Sequence, residues 1–197
     1  EERRAVVGIL TAFTDKLRPY ADDIALSYDF LAEIDFIRAK ALFAIDINAT
    51  LPHVERECQV EWYHAIHPLL LLTLRRQHKD VVPLDITLDN KNRILLISGP
   101  NAGGKSVCLK TVGLLQYMMQ CGLLVPMYDN SHMGIFENIF IDIGDEQSIE
   151  QSRSTFSSHM VNIVSILNEV SPSSLVLFDE LGAGTDPVEG AALAGAI

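Results

Sequence analysis

Apolar residues recur at helical spacing through Phe30, Ile34, Ile37, Ala41 and Ile45, a stripe that predicts a long amphipathic helix. An earlier helix is predicted over Glu1 to Lys16, where Gly8 is the sole Gly or Pro. The stretch holding Pro52, Pro68 and Pro83 reads as short strands and turns, so a boundary is expected within residues 46–55. Strand and helix signals then alternate. Arg93 to Ser98 reads as a short buried strand, Lys105 to Cys121 as a helix, and Ile139 to Ile143 as a strand. Thr155 to Val170 reads as a helix and Leu175 to Asp179 as a strand. Such alternation predicts an α/β domain with a parallel or mixed sheet covered by helices. The expected organisation is a helical segment over residues 1–50 and an α/β domain over 51–197. Val188 to Ile197 reads as the opening of a helix with no stop signal, and the first residues already lie in helical sequence, so a fragment of a longer protein is expected.

With 197 residues and 48% hydrophobic content, the chain can fill a core. The runs Leu69 to Leu72 and Ile94 to Ile97 are too short to cross a bilayer, and a cytoplasmic location with no membrane partner is expected. A net charge of -11 argues against a nucleic-acid grip made by this stretch itself, because phosphate contacts rest on clustered Lys and Arg. Cys58, Cys108 and Cys121 are odd in number and far apart, which suits neither a disulfide framework nor zinc, and they read as reduced core residues. The six histidines lack metal-ligand spacing.

Gly99-Pro100-Asn101-Ala102-Gly103-Gly104-Lys105-Ser106 fits the phosphate-loop pattern, placed between a strand signal and a helix signal as that motif requires. Its glycines let successive amides face one anion, Lys105 reaches the outer phosphates, and Ser106 offers a hydroxyl to magnesium. The expected nucleotide-binding set is Gly99, Pro100, Asn101, Ala102, Gly103, Gly104, Lys105, Ser106 and Val107, with Mg2+ and ATP as cofactor and ligand. Leu175 to Phe178 is an apolar strand ending in Asp179 and Glu180. Neighbouring strand residues face opposite sides, so Asp179 suits the magnesium shell while Glu180 polarises the attacking water. Gly182 to Pro187 reads as a loop into a helix capped by Asp186 or Thr185. Ser154, Thr155 and the hydroxyls after them read as a helix start.

Together these motifs resemble the MutS family of ABC-type DNA-repair ATPases over nearly the whole chain, and most of all its branch of second bacterial paralogues. The resemblance is carried by Ser98 to Ser106, Leu109 to Leu115, Asp142 to Ile149 and Asp179 to Pro187. It implies a P-loop ABC-type ATPase domain preceded by the end of a helical lever. It also implies a homodimer in which Ser154 and Thr155 reach the ATP of the other subunit and Asp186 faces that subunit. Gln147 resembles the position linking nucleotide state to the neighbouring domain, Asn101 the loop residue near the attacking water, and His67-Pro68 the entry to the ATPase domain near adenine. Lys105, Asn101 and Glu180 are then the catalytic set. The resemblance further implies DNA, and in this branch the ribosome, as partners held by regions outside this stretch. The branch's small nuclease domain is expected to lie outside it too. A module that uses ATP for assembly, with little hydrolysis of its own, is the alternative. A small-substrate kinase lacks any lid or acceptor signal.

Overall fold

The computed structural model describes residues 1–100, 104–143, 152–182 and 186–197, with backbone alone at 152–158 and 187. The chain divides into two compact units, Glu1–Ile45 and Asp46–Ile197. The first consists of α1 (Glu2–Leu17), a single 3-10 turn over Arg18–Tyr20 and α2 (Ala21–Asp46). Pro19 explains the 3-10 turn, since its ring removes a helical donor. The apolar stripe expected on α2 is helical as read, but Phe30, Ile34, Ile37 and Ile45 are exposed in this chain.

The second unit carries β1 (His53–Glu55), β2 (Val60–Ala65), α3 (Pro68–Arg76), β3 (Leu84–Leu88), α4 (Lys105–Gln120) and β4 (His132–Gly134). Next come β5 (Asn138–Asp142), α5 (Ser152–Glu169), β6 (Ser174–Phe178) and α6 (Pro187–Ala196). Among the described residues two sheets form instead of the single sheet expected. In the first, ordered β1-β4-β2-β3, β1 runs parallel to β4 while β2 is antiparallel to β3 and β4. Val60, Trp62 and Ala65 of β2 turn inward, and the core around them holds Ile47, Ile86, Val125 and Met133. A bulge between Trp62 and Ala65 keeps both facing inward although they are three apart, with His64 at φ 56°.

The second sheet is the parallel pair β5 and β6, joined by a crossover through α5. Helix α4 lies against both strands at Gly113, where a methyl group would stand 3.0 Å from Leu177 Cδ1 and 3.2 Å from Ile141 Cδ1. Behind it, Val112 and Leu115 are buried, and Gln116 binds the Gly134 carbonyl at 2.7 Å, tying α4 to β4. Helix α5 adds Ile163 and Ile166 to the core.

Three expectations fail here. The segment from Arg93 to Ser98 is not a strand: it carries no regular structure, with Ile94 91% and Leu96 87% exposed. A strand exists only by pairing, and among the described residues β5 and β6 pair only with each other. The proline-rich stretch, read as strands and turns, also contains helix α3, which opens on Pro68. The cysteines are free, but Cys121 is exposed and Cys58 and Cys108 are half-buried, so none is a full core residue.

Candidate functional site

Gly104 caps α4 with φ 83° and ψ 13°, a left-handed conformation that side chains disfavour, so the chain turns sharply into the helix at Lys105. From there the Lys105 Nζ folds back to donate to the Gly99 carbonyl at 2.6 Å. Gly99 and Pro100 are exposed, Lys105 and Ser106 half-buried, and Val107 exposed. Asn101, Ala102 and Gly103 lie outside the described residues, as does Gln147.

The carboxyl ends of β5 and β6 form the second part. Their register pairs Asp142 with Phe178, and the next amide, that of Asp179, donates to the Asp142 carbonyl at 2.9 Å. Asp179 is half-buried and Glu180 exposed, so one carboxylate is held at the sheet end while the other stands in solvent. Glu180 has φ 49°, a left-handed value that a side chain adopts at a cost of about 1 kcal/mol or more. Such outliers gather where function requires a set direction.

Beyond Glu180 the chain turns at Gly182, φ 78°, whose backbone meets that of Gly190 so closely that a methyl group on either would come within 2.5 Å of the other's carbonyl. Between them Asp186 caps α6, its carboxylate accepting from the Val188 amide at 2.9 Å with Pro187 in the first turn. Thr185 lies outside the described residues. Ser154 and Thr155 belong to the first turn of α5, two to three residues inside the helix start at Ser152, and their side chains lie outside the description.

A hard cation fits the oxygen donors present. Ser106 would offer one hydroxyl and Asp179 one carboxylate, and magnesium suits one or two protein oxygens completed by phosphates and water. Among the described residues no group of three or more His, Cys, Asp or Glu could hold a metal ion.

His67 caps α3: its Nδ1 accepts a long bond of 3.4 Å from the Leu70 amide. Burial, and then the charge of Lys110, lower its pKa below the usual histidine value. The unfolded chain therefore takes up this proton before the folded chain does, and stability falls as pH drops through the ordinary histidine range near about 6.5. Protonated Nδ1 also loses its role as acceptor. In His67→Asn, which keeps a capping acceptor but does not titrate, the denaturation midpoint is expected to change less between about pH 7.5 and 5.5 than in the wild type. Equal changes in the two proteins would refute the assignment.

One feature of the site escaped the sequence reading. Asp142 is 7% exposed, and its two carboxylate oxygens meet His159 Nδ1 and Asn162 Nδ2, each at 2.8 Å. The available signal was a carboxylate closing an apolar strand, with two polar residues one turn apart on the following helix.

A family model described as MutS domain V matches residues 95–197. Among curated relatives, an Endonuclease MutS2 of Finegoldia magna is 53% identical over 197 residues, covering 100% of this chain and 24% of that protein. The Endonuclease MutS2 of Shouchella clausii is 50% identical over 194 residues, 98% of this chain and 24% of that protein. One from a Geobacillus species is 50% identical over 197 residues, 100% of this chain and 24% of that protein. The chain thus spans about a quarter of the length of these relatives. Since the domain V match takes in slightly more than half of the 197 residues, the chain belongs to the MutS family.

Proposed function

We propose that the chain is the ATP-binding and ATP-hydrolysing part of a MutS-type clamp with a P-loop ABC-type ATPase fold, residues 51–197 forming that domain and residues 1–50 the end of its lever. The observation that carries this reading is the set of left-handed Gly104, the start of α4 behind it and the Lys105 bond back to the Gly99 carbonyl. On ATP binding Lys105 exchanges the Gly99 carbonyl for phosphate oxygens, and the amides at the start of α4 face the same charge. Magnesium, held by Ser106 and Asp179, neutralises phosphate charge. Glu180, next to Asp179 but turned to solvent, polarises the attacking water, with Asn101 beside it.

In this reading Ser154, Thr155 and Asp186 meet the second subunit of a homodimer, and Gln147 relays nucleotide state to the neighbouring domain. Closure of the dimer then drives engagement of DNA, or in this branch the ribosome, by regions outside this stretch. The exposed Glu180 also favours a second reading, in which assembly is the main output and hydrolysis is slow until a partner surface covers the base. Light scattering at saturating Mg-ATP, with turnover measured in parallel, tests both. A doubled mass with Mg-ATP but not with Mg-ADP supports the dimer. Turnover that rises with protein concentration supports the clamp, and a flat, near-zero rate supports the assembly module. A mass that never changes overturns both.

Among the described residues no helix is long and apolar enough to cross a membrane.

A further inference from the structure

Asp142 is the one buried acidic residue among the described residues, and it stands where three parts of the domain meet. It ends β5, its carbonyl accepts from the Asp179 amide at the end of β6, and its carboxylate takes both of its bonds from α5. An ionised carboxylate only accepts, so the proton of this pair sits on His159 Nδ1, and the amide of Asn162 fills the other oxygen. The buried charge is thereby satisfied.

Holding α5 on the sheet does not require this cluster, because Ile163 and Ile166, 3% and 4% exposed, already bury the helix beyond it. His159 and Asn162 lie between that apolar anchor and the helix start at Ser152. Apolar contacts tolerate sliding and rotation, whereas two directed bonds to one carboxylate permit a single register.

We propose that Asp142, His159 and Asn162 form a positioning latch that registers the start of α5 against the carboxyl ends of β5 and β6. The partner-facing serine turn and the hydrolytic carboxylates then move as one piece. This rests on the reading of Ser154, Asp179 and Glu180 given under Proposed function. The latch residues act through the elements they join and not on the reacting atoms.

The test compares His159→Leu, Asn162→Ala and His159→Asn. The last keeps an N–H donor at the position of Nδ1. Affinity for a non-hydrolysable ATP analogue is expected to stay within about threefold of wild type in all three, since the phosphate loop lies on other residues. Turnover at saturating Mg-ATP is expected to fall about tenfold or more in His159→Leu and Asn162→Ala, and to return to within about threefold of wild type in His159→Asn. Wild-type turnover in His159→Leu, or a His159→Asn as slow as His159→Leu, overturns the latch. Should wild type neither bind nor hydrolyse ATP, the nucleotide reading fails and amide hydrogen exchange decides the latch separately. Faster exchange confined to the first turns of α5 in His159→Leu, reversed in His159→Asn, supports it. Unchanged exchange overturns it.

Discussion

Replacing Lys105 by alanine is expected to weaken Mg-ATP binding by about 100-fold, equivalent to about 2.7 kcal/mol, while the domain stays folded. The size follows from what the ammonium group does in each state. Without nucleotide it donates to the Gly99 carbonyl through an exposed bond, and losing such a bond costs about 1–2 kcal/mol of stability at most. With nucleotide it faces oxygens bearing several negative charges, and opposite unit charges about 4 Å apart are worth about 4 kcal/mol near a protein surface. The second effect exceeds the first, so affinity falls much further than the melting temperature. Calorimetric titration with Mg-ATP and a thermal melt of the same samples check it. Unchanged affinity would mean that residues 99–106 form a glycine turn with no phosphate role.

The local elements were legible because their signals are local. Helix α4 begins at Lys105, where the glycine pattern ends, and β6 spans Ser174–Phe178, one residue from the apolar run that predicted it. Helix α6 starts at Pro187 with Asp186 as cap, the arrangement that proline and a preceding carboxylate imply. What failed depends on pairing at a distance. Ile94 to Ile97 has the composition of a buried strand, yet burial needs a neighbour, and a sequence pattern carries no information on whether one is present. Helix α3 was hidden because Leu69 to Leu72 is a continuous apolar run, which has no period to separate helix from strand. Pro68 after His67 was the stronger cue, since proline suits the first helical turn. The parallel pairing of β1 with β4 joins residues nearly eighty positions apart and left no trace in either strand.

The site divides in the same way. The loop glycines, Lys105, Asp179 and Glu180 stood out as candidates because the motifs that propose them are written in adjacent letters. The clamp on Asp142 was not, because its three members are spread over twenty residues and look like ordinary polar positions. The sequence also gave no hint that Glu180 would carry a left-handed backbone, a property set by the tight turn through Gly182 against Gly190.

That backbone leads to the second large effect. Glu180→Gln is expected to lower ATP turnover by about 100-fold or more, the scale of a lost general base, while ATP affinity stays close to wild type. Glutamine keeps the size and the hydrogen-bonding reach of the side chain but cannot take up a proton near neutral pH. Nucleotide therefore remains intact once bound, and an ATP-held dimer is expected to accumulate, seen as a stable doubled mass by light scattering. A glycine variant separates chemistry from strain. Glycine adopts φ near 49° freely, which relieves about 1 kcal/mol, although its looser unfolded chain returns about 0.5–1 kcal/mol of that. Glu180→Gly should thus melt at or slightly above the wild-type temperature and still lose turnover. If Glu180→Gly instead melts well below wild type, the side chain is structural and the left-handed turn has no catalytic purpose. If Glu180→Gln hydrolyses ATP at the wild-type rate, the base is another residue. The combination expected here, lost turnover with retained stability, is what a carboxylate held at conformational cost for chemistry predicts, because a residue kept for the fold would show the reverse.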